Sequence, residues 1–210
     1  MDSGLRKYIA DEIIPRYDNF DKGHGRDHAE NVIRQAMALC VRYDVNPDMV
    51  YAAAAYHDTG LCADRKTHHI VSAQIIRSDA VLESWFSRDE IDVIADAAED
   101  HRASLGHAPR TIYGRLIAES DRLIVPETVI RRTVQYGLAH YPELDMEGHY
   151  ARTVEHIDEK YGDNGYLQLW IPESPNALRL EELREIIRDR SKLRQCFERV
   201  YAEEKAELNF

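Results

Sequence analysis

No apolar run in this 210-residue sequence approaches the roughly 20 residues a helix needs to cross a bilayer, so no membrane partner is expected. Cysteine is scarce. Cys40, Cys62 and Cys196 are the three present, and they lie far apart. An odd, scattered set offers neither a disulfide framework nor a zinc-ribbon spacing, and reads as reduced thiols in a cytoplasm. The opening residues Met1-Asp2-Ser3-Gly4-Leu5-Arg6 carry no basic region ahead of an apolar stretch, so no secretory signal peptide is expected. Basic charge is in deficit: Lys and Arg number 27 against 38 Asp and Glu, a formal net charge of −11. Such a chain repels a polyanion at long range, which argues against duplex nucleic acid as a partner. A small phosphate ester stays open, because a bound metal ion reverses the local field. No internal repeat, no low-complexity segment and no period-two alternation long enough for a strand is present.

What is present is ordinary in amount and helical in pattern. Hydrophobic residues make up 44% and charged ones 31%, as in a soluble globular protein, and the length fits one or two domains. Ala29, Val32, Ile33, Ala36, Met37 and Cys40 form one stripe of a long helix, with Asp27 and Glu30 reading as a capping box at its start. Asn46-Pro47 opens an alanine-rich helix as N-cap and N1, and Gly60 reads as its terminator. Its small side chains let neighbours approach closely, which puts it at the centre.

Further helices are predicted over 67–78, from a second capping box at Ser87 and Glu90 through His101, and over 111–123, 128–140 and 147–161. A turn-rich loop covers 162–175, and a long helical stretch, broken at most once, covers 180–207. The expectation is an all-α protein of about eight to ten helices without a sheet. It is read as one domain, 1–210, with a core over 20–125 and a helical extension over 126–210.

Four ligand-type residues stand out against this pattern: His28, the adjacent pair His57-Asp58, and Asp121. They come from three separate apolar stretches, each at a position that a helix turns inward. A buried unpaired carboxylate costs several kcal/mol or more, so inward His and Asp together point to a cation among them. Neighbouring helix positions diverge by about 100°, so adjacent ligands for one ion fit best at a helix end, where the backbone can relax. Imidazole mixed with carboxylate suits Fe, Mn, Zn, Ni or Co better than Ca or Mg.

The order His28, His57-Asp58, Asp121 resembles the signature of the HD-domain superfamily of metal-dependent phosphohydrolases. The local strings are similar too: Gly23-His24-Gly25-Arg26-Asp27-His28, Ala54-Ala55-Tyr56-His57-Asp58-Thr59-Gly60 and Glu119-Ser120-Asp121-Arg122. The resemblance implies a single-domain HD-type helical bundle. Some members hold two metals and add two histidines between the doublet and the last aspartate. His68, with His69 as the alternate, and His101 match those positions, and Asp58 would then bridge the ions.

The implied function is hydrolysis of a phosphate mono- or diester, with a nucleotide among the candidates, by metal-bound hydroxide at one or two divalent transition-metal ions (Fe, Mn, Ni, Co or Zn). Arg26, Lys66, Arg102 and Arg122 adjoin the ligands and are the candidates to bind substrate phosphate, while His24 and Asp27 are candidates for proton transfer beside Asp58. The same six-ligand set also occurs in relatives that use a mixed-valent di-iron centre as oxygenases, and a non-catalytic nucleotide-binding sensor on this scaffold is a third reading. Leu183, Ile186, Ile187, Leu193, Phe197 and Val200 could pack on the core or on a second copy, so a homodimer is one expectation.

Overall fold

The computed structural model describes residues 1–21 and 23–207. Residues 208–210, the end of the expected extension, and residue 22 lie outside the described residues. Among the described residues there are ten α-helices and no strand, so the all-α expectation holds. None of these helices is long and apolar enough to cross a membrane. The chain divides into two compact units: Met1–Arg122 together with Trp170–Ser174, and Leu123–Leu169 together with the chain from Pro175 onward.

The first unit is built around the alanine-rich helix α3 (Pro47–Tyr56). Ala52, Ala53, Ala54 and Ala55 are all fully buried, and their methyl-sized side chains let α2 (Arg26–Cys40), α5 (Arg88–Glu99) and α6 (Ile112–Ser120) pack directly on α3. Asn46 caps α3 by accepting the Asp48 N–H at 2.9 Å, with Pro47 at N1. The Ser87–Glu90 box of α5 is complete in both directions. The box read at Asp27 and Glu30 does not form. The chain already enters α2 at Arg26, with extended Gly25 as N-cap, so Asp27 lies inside the first turn.

Gly60 does not terminate α3 either. The helix ends at Tyr56, and Gly60 lies in a 3₁₀ turn, Thr59–Cys62, pressed against α4 (His68–Ser78). Its N–H donates to Ser72 Oγ at 2.9 Å. The helix of the Ser87 box ends at Glu99, two residues before His101.

An N-terminal helical run absent from the sequence reading covers this core. It begins as α1 (Ser3–Tyr8), widens to a π turn over Ile9–Ile13 and tightens to a 3₁₀ turn over Ile14–Asn19, with Pro15 at the change of pitch. Leu5, Ile9, Ile13 and Tyr17 are fully buried along it. The segment Trp170–Ser174 lies on the same unit, held by Glu119.

In the second unit, α7 (Pro126–His140), α8 (Met146–Tyr161), α9 (Asn176–Arg188) and α10 (Arg190–Glu207) bury Ile130, Val134, Ile157, Leu183, Ile187, Leu193, Phe197 and Val200. The predicted single break falls at Asp189, whose carboxylate accepts the N–H groups of Ser191 and Lys192, both at 3.1 Å, and so starts α10.

Candidate metal centre

Three helix ends of the first unit converge. His57 closes α3 as its C-cap, and Asp58 follows with φ −110° and ψ 6°, already out of the helix. This departure lets two adjacent side chains aim at neighbouring points. His28 sits in the first turn of α2, and Asp121 is the C-cap of α6. His28 Nε2 lies 3.2 Å from His57 Nε2, 3.4 Å from Asp58 Oδ2 and 3.2 Å from Asp121 Oδ1. His57 Nε2 lies 3.3 Å from the same Asp58 oxygen and 3.9 Å from Asp121 Oδ1.

The other oxygen of Asp58 serves a second cluster. Oδ1 is 3.3 Å from His68 Nε2 and 3.3 Å from His101 Nε2, and these two nitrogens are 3.2 Å apart. It is His68, the first residue of α4, that enters the cluster; His69 is buried beside it and is not among the clustered donors.

This donor set fits a metal. An ion about 2.1 Å from each nitrogen or oxygen ligand places neighbouring ligands roughly 3.0–3.4 Å apart, which is the spacing found for every pair named except His57 and Asp121, 3.9 Å apart. The imidazoles are also oriented for it. Nδ1 of His57 donates to Ala54 O at 2.7 Å, Nδ1 of His68 to Arg65 O at 2.7 Å, and Nδ1 of His101 to Ala98 O at 2.5 Å. A proton fixed on Nδ1 leaves the Nε2 lone pair facing the cluster, as a metal-ligating histidine requires. The trios His28-His57-Asp58 and Asp58-His68-His101 could each hold an ion.

Electrostatics agrees with geometry. Burial opposes charge on the Asp58 and Asp121 carboxylates, but the surrounding imidazoles outweigh it and hold both well below the usual carboxylate range. In return, burial pulls His28 down, while hydrogen bonds to Asp121 and Asp58 overcome it and hold the imidazolium up to about 9. His101 is raised for the same reason, burial again being outweighed by Asp58. His68 is pushed down to about 4 by burial and by the charge of His101, since two imidazolium groups 3.2 Å apart repel. Two anions in a buried site thus draw in positive charge, carried here by protons and equally suited to a cation.

The other residues singled out in the sequence are placed as follows. His24 lies at the edge of the first cluster, its ring 5.8 Å from that of His28, with Nδ1 at 2.9 and 3.0 Å from the Asp21 carboxylate oxygens. Asp27 is exposed on the first turn of α2. Arg26 turns to the surface and binds Asp18 through two hydrogen bonds, 3.0 and 2.6 Å. Lys66 is exposed. Arg102 donates to the Lys66 carbonyl, and to Ser104 Oγ at 2.9 Å. Arg122 is buried and turns back to the Ala118 carbonyl.

Sequence reasoning missed two supports. Tyr17, fully buried, donates its hydroxyl to Ala55 O at 2.9 Å and accepts the Asp58 N–H at 3.2 Å, fixing the backbone where α3 ends. Asp21 orients His24. Tyr17 stands 41 positions from Asp58 in sequence, and no local pattern signals that contact; Asp21, three residues before His24, was within reach of an Asp–His reading.

Residues 25–125 match the family model described as HD domain. A search of curated proteins and a search of solved structures each gave no match. With the histidine and aspartate order intact and converging inside the matched segment, residues 25–125 form an HD domain, of a superfamily whose members are generally metal-dependent phosphohydrolases.

Proposed function

We propose that this chain hydrolyses a phosphate mono- or diester at a two-metal centre, the first ion held by His28, His57, Asp58 and Asp121 and the second by Asp58, His68 and His101. The observation that supports the reading is the division of Asp58: Oδ2 faces one pair of histidines and Oδ1 the other, so a single carboxylate would serve both ions. Bound divalent ions would supply acidified water as nucleophile and neutralise charge on the phosphoryl oxygens.

The chain's own residues supply the rest. His24, oriented through Nδ1 by Asp21, has its other ring nitrogen available to protonate the leaving oxygen, with exposed Asp27 on the neighbouring turn as the second candidate for proton transfer. The Lys66 ammonium is exposed and, among the described residues, engaged by no carboxylate, which suits it to meet substrate phosphate. Arg26, by contrast, must leave Asp18 before it can serve an incoming phosphate. The substrate is a small phosphorylated molecule, with nucleotides the first to try.

The test is elemental analysis of protein purified without chelator, then phosphate release from nucleotides and sugar phosphates under argon, with and without chelator. Metal retention together with chelator-sensitive release is the expected result. Asp58→Ala removes both, and wild-type turnover in that variant overturns the assignment. Oxygen uptake by the iron-loaded protein without phosphate release would place the chain among the oxygenases instead.

A further inference from the structure

The two donor clusters are held in different ways. In the first, His28, His57 and Asp121 stand on α2, α3 and α6, which pack on one another. The second joins Asp58 to residues beside two loops. His68 opens α4 straight after the turn at 64–67, and His101 lies two residues beyond the end of α5.

One side chain crosses between those loops. Arg102 follows His101 in the chain, and its Nη1 donates to the carbonyl oxygen of Lys66 while Nε donates to Ser104 Oγ at 2.9 Å. The preceding carbonyl, that of Arg65, accepts the Nδ1 proton of His68 at 2.7 Å. Consecutive peptide groups of one loop therefore serve the imidazole of His68 and the guanidinium beside His101. On the other side of His101, buried Asp100 accepts the Arg110 N–H at 2.6 Å and Arg110 Nε at 3.0 Å, closing the loop that follows α5 on itself. Of these two anchors, Arg102 is the one that reaches the loop of His68.

We propose that Arg102 is a positioning residue for the second metal: by holding the Lys66 carbonyl it sets the 64–67 turn so that His68 meets His101 and Asp58 Oδ1. This rests on the two-metal reading above. A planar guanidinium can hold Ser104 and Lys66 at once in fixed directions, which a lysine ammonium on a flexible stem does not reproduce. Loss of a group that orients a ligand typically weakens metal affinity roughly 10- to 100-fold.

The experiment titrates Mn(II) alone into chelator-treated full-length protein, following binding heat and the magnetic coupling seen by electron paramagnetic resonance. Wild type should take up two ions that couple through Asp58. Arg102→Ala should bind the first ion with unchanged affinity, which also reports that it is folded, and the second roughly 10- to 100-fold more weakly, with coupling absent at low Mn(II). Two tight, coupled ions in Arg102→Ala would overturn the proposal and leave the two-metal centre standing. A single ion in wild type would overturn the two-metal reading itself, and the proposal with it. Arg102→Lys decides the matter if the alanine variant does not fold: a weakened second ion supports the proposal, and a second-ion affinity equal to wild type overturns it.

Discussion

Gly60 runs so close to His68 that a Cβ on the glycine would stand 2.0 Å from the His68 carbonyl oxygen and 2.6 Å from the Ser72 nitrogen. Both obstructing atoms are backbone at the start of α4, so no side-chain rotation relieves the clash. The contact brings the turn after Asp58 against the helix that delivers His68, and so couples the spacing of the two clusters to one missing methyl group. Gly60→Ala is expected to destabilise the protein by about 3 kcal/mol or more, above the usual range for overpacking because backbone must move. It should also weaken the second metal ion more than the first. Urea unfolding and Mn(II) titration of the variant check both parts, and a variant as stable as wild type would contradict this close approach.

Tyr17 fixes the first cluster in a comparable way. Its hydroxyl links Ala55 O and the Asp58 N–H, the last peptide groups before the chain leaves α3. Tyr17→Phe keeps the ring in the core and strands those two groups. A loss of about 1–3 kcal/mol is expected, the usual cost of leaving buried polar groups unsatisfied. Affinity for the first ion should fall as well, since Asp58 is freed to shift. Unfolding curves paired with metal titration test this, and a stability loss with no change in metal binding would confine Tyr17 to a packing role.

Glu119 carries a different load. Its buried carboxylate accepts the N–H of Trp170 at 2.7 Å, the N–H of Ile171 at 3.3 Å and the hydroxyl of Ser174, pinning that segment beside the helix that ends at Asp121. Glu119→Ala leaves the N–H groups of Trp170 and Ile171 and the Ser174 hydroxyl without this acceptor. It should cost about 1–3 kcal/mol and open the 170–174 segment to limited proteolysis. Unchanged cleavage there would show that Ile171, buried in the core, holds the segment alone.

These supports mark where sequence reading stops. The clustered side chains were legible because the pattern is local: His57-Asp58 is an adjacent pair, and the hydrophobic period puts His28 at the start of one helix and Asp121 on the inward stripe of another. The Ser87–Glu90 box was readable for the same reason. Asp27 and Glu30 have the same spacing, yet the box is absent, because helix entry depends on Gly25 adopting extended backbone and spacing alone does not encode that. His68, read ahead of His69 from the string around it, stands 3.3 Å from Asp58 Oδ1, while the close approach of Gly60 to the backbone of α4 leaves no mark in the sequence. The role of Glu119 joins residues 51 or more apart, and the turn of Arg26 toward Asp18 is settled by a surface partner eight residues away, so neither follows from a motif.

The titratable groups of the two clusters give chelator-treated protein a pH signature that metal should erase. In the metal-free protein His28 is held up to about 9 against an ordinary 6.5, burial opposing and the carboxylates of Asp121 and Asp58 prevailing. A raised folded-state value stabilises fully below the ordinary value, and that contribution is lost as pH rises through the folded one. Stability of the metal-free protein should therefore decline from about pH 6.5 to about pH 9, by an amount on the order of 3 kcal/mol. His68 works in the opposite direction: with its folded value pushed down to about 4, mainly by burial, the unfolded chain takes up the proton first, so stability also falls as pH drops from 6.5 toward 4. The depressed Asp58 and Asp121 add to the loss on the acid side. A maximum near pH 6.5 follows for the metal-free form. An ion in the first cluster replaces the His28 proton, so the alkaline decline should vanish in Mn(II)-loaded protein, and metal affinity should rise with pH up to about 9. Urea unfolding of both forms from about pH 5 to about pH 10 reads this directly. An equal alkaline loss with and without Mn(II) would mean that the protonated His28 does not stand where the ion binds.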